Sequence, residues 1–172
     1  MLCCPGDGLS RRRLVDILTR TPANLYPNNL VQANMTLVGA RPVNPVRGVL
    51  LGGNLSLVGA LYGSPFLPSL QGALLFVEET REEGRKIDRM IEGLKQRGAA
   101  AQVRGVVVGH CSDIGPRAVA TLFERSWHVP CVFELAAGHR VPPDNTNLAL
   151  WIGLEYELRF TAPRTATLFL RP

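Results

Sequence analysis

One stretch near the middle of the chain constrains the fold more than any other, because two apolar strands flank an amphipathic helix. Residues 72–78, GALLFVE, form an apolar run between a glycine and a charged segment, which is typical of a strand buried on both faces. Residues 82–97 show apolar side chains at helical spacing, and Gly98 stands where a helix ends. Residues 103–109, VRGVVVG, predict a second buried strand. A strand–helix–strand unit predicts parallel strands with a right-handed crossover.

The residues before this unit fall into two parts that differ in composition. Residues 21–47 contain four prolines and several asparagines, so we expect a loop with one short strand around residues 35–38. Residues 48–63 predict instead a strand, a Gly-Gly turn and a helix. We therefore divide the chain into a loop-rich residual segment, residues 1–45, which we expect to pack poorly, and a folded domain, residues 46–172.

The residues after the unit continue the alternation of helix and strand. Asp113 and Pro116 are expected to open a further helix, and residues 129–135, VPCVFEL, predict a third apolar strand. The tail alternates apolar and polar residues on either side of residues 162–164, which predicts an antiparallel hairpin. The predicted fold class is α/β, with a mixed sheet that contains a βαβ unit and has an antiparallel end.

The composition argues against several classes of protein. With 46% hydrophobic and 19% charged residues, the chain is too apolar for a disordered protein, and no apolar window approaches the ~20 residues of a membrane helix. The formal net charge is +5, but it comes from 17 Arg and only 2 Lys, which are mostly scattered and lack an aromatic stacking motif. The four cysteines form no CxxC pair. We expect a cytoplasmic protein without nucleic-acid, membrane, metal or cofactor binding.

Two residues that follow apolar strands are candidates for chemistry. Glu78 ends the strand of residues 72–78, and His139 follows the strand of residues 129–135 in a Gly-His loop. Ligands of open α/β sheets bind beyond the carboxyl ends of strands, and a carboxylate that orients an imidazole base is the pair that activates a serine or cysteine nucleophile. If the two strands are parallel neighbours, we expect both groups at one edge. Spacing alone leaves two alternatives open, that Glu78 is a solvated strand end and that His139 is a loop histidine without a role.

Two nearby features have simpler interpretations. Gly52-Gly53-Asn54 at a helix start could hold an anion on its N–H groups, but a turn with Asn54 as the N-cap is the simpler interpretation, because no phosphate-binding motif is present. Glu79 is expected to face away from Glu78, since neighbouring residues of a strand point to opposite faces. The two carboxylates therefore do not form an obvious acid/base pair.

Together these residues resemble the LD-carboxypeptidase family, serine peptidases that include muramoyltetrapeptide carboxypeptidases and the self-immunity peptidases for microcin C. The resemblance rests on the order of five motifs, which are Gly52-Gly53-Asn54-Leu55, Gly63-Ser64-Pro65, residues 74–98, residues 105–109 and residues 136–139, which end in Gly138-His139. It implies a swivelling β/β/α C-terminal domain, a homodimer, and a Ser-Glu-His triad with Glu78 as the orienting carboxylate and His139 as the general base.

The resemblance also implies a reaction, the release of the terminal D-alanine of a muropeptide tetrapeptide during cell-wall recycling. The family's serine lies in a Gly-Tyr-Ser-Asp turn of an N-terminal domain, and the residues before Gly52 contain no such turn. Cys111-Ser112-Asp113 contains the Ser-Asp pair of this turn but does not have its position in the family pattern. We therefore expect a truncated member that lacks the nucleophile and is inactive alone. The alternative is a non-catalytic domain that binds peptide or dimerises.

Overall fold

The computed structural model describes residues 30–139 and 147–171, together with Val15, Leu18 and Thr19. In this part of the chain, seven strands form one closed barrel. The strands are β1 (Leu30–Val38), β2 (Val46–Asn54), β3 (Leu74–Glu79), β4 (Gly105–Cys111), β5 (Cys131–Phe133), β6 (Glu155–Ala162) and β7 (Thr165–Arg171). Their order around the barrel is β1-β5-β4-β3-β2-β6-β7, and β7 pairs again with β1.

One side of the barrel is parallel and carries the helices. Strands β2, β3, β4 and β5 run in the same direction, and they are connected through α1 (Leu55–Leu61), α2 (Gly84–Gln96) and α3 (Pro116–Trp127). The helices bury an apolar stripe against these strands, which includes Ile91 and Phe123. The predicted parallel βαβ unit is confirmed as β3-α2-β4. Gly98 follows α2 with a φ of 92°, as a residue that ends a helix often does.

The other side of the barrel is antiparallel. The predicted hairpin is confirmed, with β6 and β7 joined at Pro163 and Arg164, and β6 also pairs antiparallel with β2. Side chains from both sides fill the barrel interior, among them Leu50, Phe76 and Tyr156. The α/β class with a mixed sheet is therefore confirmed, and closure of that sheet into a barrel is a feature that the sequence patterns did not predict.

The expectation that residues 1–45 pack poorly is wrong for residues 30–38. These residues form β1, which is much longer than the short strand predicted there and closes the barrel between β5 and β7. Met35 and Leu37 of this strand lie fully buried in the barrel interior. A bulge, with Asn34 at a φ of 59°, interrupts the alternation by which a strand is recognised. That the segment is the remnant of a separate domain stays a prediction.

Among the helices of the described residues, none is long and apolar enough to cross a membrane.

Candidate active site

Glu78 and His139 lie in direct contact at the carboxyl edge of the parallel strands. Nδ1 of His139 is 2.8 Å from Oε2 of Glu78, and the backbone N–H of His139 donates to the same oxygen over 3.1 Å. The side chain of Glu78 is only 6% exposed, whereas that of His139 is 68% exposed. The expectation that the two groups meet at one edge is confirmed, and their catalytic role stays a prediction.

The strands that carry the two residues are not neighbours, because β4 lies between β3 and β5. The side chains meet because the chain leaving β5 runs across the end of β4, where the N–H of His110 donates to the carbonyl of Ala137 over 2.9 Å. Gly138 then turns the chain with a φ of 111° and packs directly against Glu78. A Cβ at this position would lie 2.8 Å from the Cβ of Glu78, so only glycine fits both the turn and the contact.

The contact between the carboxylate and the imidazole determines which ring nitrogen can act as a base. An ionised Glu78 can only accept hydrogen bonds, so a neutral His139 donates its Nδ1–H to it. The acceptor lone pair is then on Nε2 of an imidazole that is largely exposed. A base and its orienting acid make the same kind of contact in a Ser-His-Asp/Glu triad.

Glu79 holds a different part of the same edge. Its buried carboxylate accepts hydrogen bonds from Asn54 Nδ2 (2.7 Å), from the backbone N–H (2.9 Å) and Oγ (2.7 Å) of Ser56, and from the N–H of Thr80 (2.9 Å). Burial alone would raise the pKa of Glu79, but the hydrogen bonds from Ser56, Thr80 and Asn54 outweigh burial and lower it. The prediction that Glu79 does not pair with Glu78 is confirmed. Its role as an anchor was missed, although a second acid at the end of a buried strand was a signal for it.

Asn54 is the helix cap that we expected, whereas the expectation of a Gly-Gly turn before it is wrong. Oδ1 of Asn54 accepts the N–H of Leu57 over 3.2 Å and so caps α1. The preceding glycines remain within β2, and Gly52, with a φ of 127°, lies so close to β3 that a Cβ would be 2.0 Å from the carbonyl oxygen of Phe76. The glycine therefore permits close approach of two strands, and Glu79 then fixes the capping amide.

Ser112 is engaged in a contact between two loops. Its hydroxyl donates to the carboxylate of Asp113 and accepts the backbone N–H of Arg81 over 3.1 Å. Asp113 accepts the same N–H over 2.8 Å, so it joins the loops after β3 and β4. The residue that precedes α3 at its cap is Gly115, which corrects the expectation that Asp113 opens the helix. The hydroxyl of Ser112 therefore donates to a carboxylate and not to an imidazole, the partner that a His-activated nucleophile needs.

The cysteines and acids of the described residues offer neither a reactive thiol nor a metal site. Cys111 is a buried free thiol, and burial raises its pKa to about 12, so that it is protonated at neutral pH and unreactive. In residues 30–139 and 147–171, no three His, Cys, Asp or Glu side chains come together in a group that could hold a metal ion.

Comparison with known proteins gives matches both in sequence and in fold. Residues 47–158 match the LD-carboxypeptidase C-terminal domain. The probable murein peptide carboxypeptidase of Bacillus subtilis is 44% identical over 61 residues, which cover 36% of this chain and 19% of the relative. A putative carboxypeptidase of Streptomyces coelicolor is 36% identical over 108 residues, which cover 59% of this chain and 35% of the relative. The muramoyltetrapeptide carboxypeptidase from Oxalobacter formigenes has a TM-score of 0.72 at 22% identity, covering 94% of this chain and 54% of that structure.

A further solved structure, the microcin C7 self-immunity protein MccF in complex with aspartyl sulfamoyl adenosine, has a TM-score of 0.71 at 20% identity over 99% of this chain and 57% of its own. The chain thus spans about half the length of the solved structures and less of the two curated relatives. The structural likenesses show the shared fold, and the match over residues 47–158 extends over more than half of the chain. The chain therefore belongs to the LD-carboxypeptidase family, which it matches in the C-terminal domain.

Proposed function

We propose that this chain supplies the Glu-His part of a serine LD-carboxypeptidase active site, with Glu78 as the orienting carboxylate and His139 as the general base. The observation that carries the proposal is the 2.8 Å contact between His139 Nδ1 and Glu78 Oε2. Because the acid is buried and the imidazole is exposed, the ring is fixed from inside while Nε2 stays available for a proton from a serine hydroxyl.

The nucleophile in this proposal comes from outside the described residues. Of the candidates within them, Ser112 donates to Asp113 and Ser56 donates to Glu79, and the Cys111 thiol is protonated at neutral pH because burial raises its pKa. A base and its orienting acid activate a nucleophile but do not replace one. We therefore propose that a second domain presents the serine to the exposed face of His139, and we expect the chain alone to be without peptidase activity.

The proposed substrate is a muropeptide tetrapeptide, which would lose its terminal D-alanine in cell-wall recycling. Support comes from the names of the relatives, a murein peptide carboxypeptidase and a muramoyltetrapeptide carboxypeptidase. The relatives with these names share the fold or a stretch of sequence with this chain, and the Glu78–His139 pair fits the hydrolysis of a peptide bond. A homodimer and a cytoplasmic location, which the family resemblance implies, stay predictions.

Complementation in trans tests the proposed function. The purified chain is mixed with the N-terminal domain that the resemblance predicts in the Bacillus subtilis relative, and D-alanine released from a murein tetrapeptide is measured. We expect release only from the mixture, with a loss of at least about a hundredfold for His139→Ala and for Glu78→Gln. His128→Ala removes an exposed histidine at the end of α3 and serves as the matched control with unchanged release.

Two outcomes would count against the proposed catalytic role. Release by the mixture that survives His139→Ala would show that another group is the base. A mixture that binds the tetrapeptide but releases no D-alanine would favour the alternative, a non-catalytic peptide-binding domain.

A further inference from the structure

A glutamine side chain of β1 contacts the segment that carries His139. Oε1 of Gln32 accepts the backbone N–H of Ala136 over 2.8 Å, and Nε2 of Gln32 donates to the carbonyl of Glu134. One side-chain amide therefore satisfies two backbone groups on the chain that leads from β5 to His139. A primary amide has a donor and an acceptor like those of a peptide group, so Gln32 substitutes for strand pairing at this point.

Strand pairing ends just before this contact. The first pair of β1 with β5 is Thr36 with Phe133, and towards its amino end β1 bulges at Asn34. Glu134 adopts a φ of 73°, a left-handed conformation that is uncommon for a residue with a side chain, and it turns the chain out of β5. The hydroxyl of Thr36 donates to the Glu134 carboxylate over 2.7 Å. Side chains of β1 thus hold a strained turn that backbone pairing with β1 does not reach, while the Leu135 N–H donates to the Val108 carbonyl of β4 over 3.3 Å.

Few residues separate this turn from the imidazole, and each is held by a hydrogen bond. The bonds are His110 N–H to Ala137 C=O (2.9 Å), Leu148 N–H to Ala136 C=O (2.6 Å), Gly138 N–H to Asn147 Oδ1 (3.2 Å) and His139 N–H to Glu78 Oε2 (3.1 Å). Because only residues 135–138 lie between this turn and His139, we expect a displacement at residues 134–136 to shift the backbone of His139 as well.

We propose that Gln32 is a positioning residue for His139. By fixing the turn after β5, its amide keeps Nδ1 of the imidazole within hydrogen-bond reach of Glu78. The meaning of that geometry for catalysis rests on the proposed function. The geometry itself is measurable without any activity, because the hydrogen bond to Glu78 selects the ring tautomer of His139.

Nitrogen-15 NMR of the imidazole, combined with amide hydrogen exchange, tests the proposal. In the intact chain, the neutral imidazole of His139 is expected as the Nδ1–H tautomer. Gln32→Ala should lower the population of that tautomer and speed exchange of the Ala136 amide about tenfold, since one hydrogen bond is lost. Gln32→Glu keeps an acceptor for the Ala136 N–H but loses the donor to the Glu134 carbonyl, so it should restore both signals only in part. Gln71→Ala, at an exposed glutamine before β3, is the matched control.

A Gln32→Ala chain that keeps the tautomer and the Ala136 exchange rate of the Gln71→Ala control would overturn the positioning role. Should Gln32→Ala fail to fold, Gln32→Met, which keeps the length but removes the amide, is judged by the same two measurements. Failure of the proposed function can be distinguished from failure of the positioning role. A wild-type chain with the Nδ1–H tautomer that releases no D-alanine in the trans assay would refute that function and leave the role of Gln32 intact.

Discussion

A single buried oxygen, Oε2 of Glu78, receives both the backbone N–H and the imidazole of His139. The double contact fixes the position of the residue and the orientation of its ring together. A buried carboxylate is costly unless it is hydrogen-bonded, so Glu78 and His139 depend on each other. Gly138 is the residue that permits this contact, because it carries no Cβ where Glu78 packs.

We predict that Gly138→Ala separates the two groups. The substitution demands a φ of 111° from alanine and places a Cβ 2.8 Å from that of Glu78, so it should lower the free energy of unfolding by about 1–3 kcal/mol. The measurement is urea unfolding, with imidazole NMR for the His139 contact. Gly59→Ala in α1, where a Cβ meets nothing within 4 Å, is the control and should stabilise by about 0.5–1 kcal/mol. Equal effects of the two substitutions would contradict the prediction.

At the scale of secondary-structure elements, Glu79 joins three of them. From the end of β3 it holds Asn54 at the end of β2 and Ser56 in the first turn of α1. These bonds form with the ionised carboxylate and lower its pKa against the effect of burial. The ionised carboxylate of Glu79 therefore holds β2, β3 and α1 together at the edge on which His139 lies.

Glu79 should make the stability of the fold sensitive to acid. Because the pKa of Glu79 is lower in the folded state than its ordinary value of 4.5, its contribution is present above about pH 4.5 and is lost as the pH falls through the folded pKa. We expect Glu79→Gln to cost about 1–3 kcal/mol at pH 7 and to lose less stability between pH 6 and pH 3 than the wild type. Urea unfolding across that range of pH measures both effects.

The matched control for Glu79 is Glu83→Gln, which removes one charge from an exposed residue before α2. It should change the free energy of unfolding at pH 7 by no more than about 0.5 kcal/mol. Parallel pH profiles for wild type and Glu79→Gln would show that Glu79 is not an acid-sensitive anchor.

The elements also show how far the sequence could lead. Apolar patterns predicted β3, α2 and β4, because the two strands are buried on both faces and the helix buries one apolar stripe. The strand expected at residues 129–135 is shorter in the structure, because Glu134 turns left-handed and leaves β5. The contact of Glu78 with His139 was predicted for adjacent strands, yet β4 lies between them. Strand order depends on long-range pairing, which no local pattern encodes.

At the scale of the whole molecule, β1 converts an open sheet into a closed barrel. It pairs with β5 on one side and β7 on the other, so it joins the parallel and antiparallel parts of the fold. Its proline-rich surroundings and its bulge concealed this role in the sequence. The same strand carries Gln32, so the strand that closes the barrel also supplies the side chain that positions His139.

If β1 is part of one cooperative barrel, truncating its core side chain should destabilise the whole molecule. Met35 is 0% exposed in the barrel interior, and Met35→Ala should cost about 2–5 kcal/mol through the cavity it leaves. Val43, between β1 and β2, is 97% exposed, and Val43→Ala should stay within about 0.5 kcal/mol of wild type. Urea unfolding followed by circular dichroism should show one transition, shifted only by Met35→Ala. A Met35→Ala midpoint equal to that of Val43→Ala would mean that β1 packs as loosely as the composition of residues 1–45 first indicated. A separate early transition would instead show that β1 detaches before the rest of the barrel unfolds.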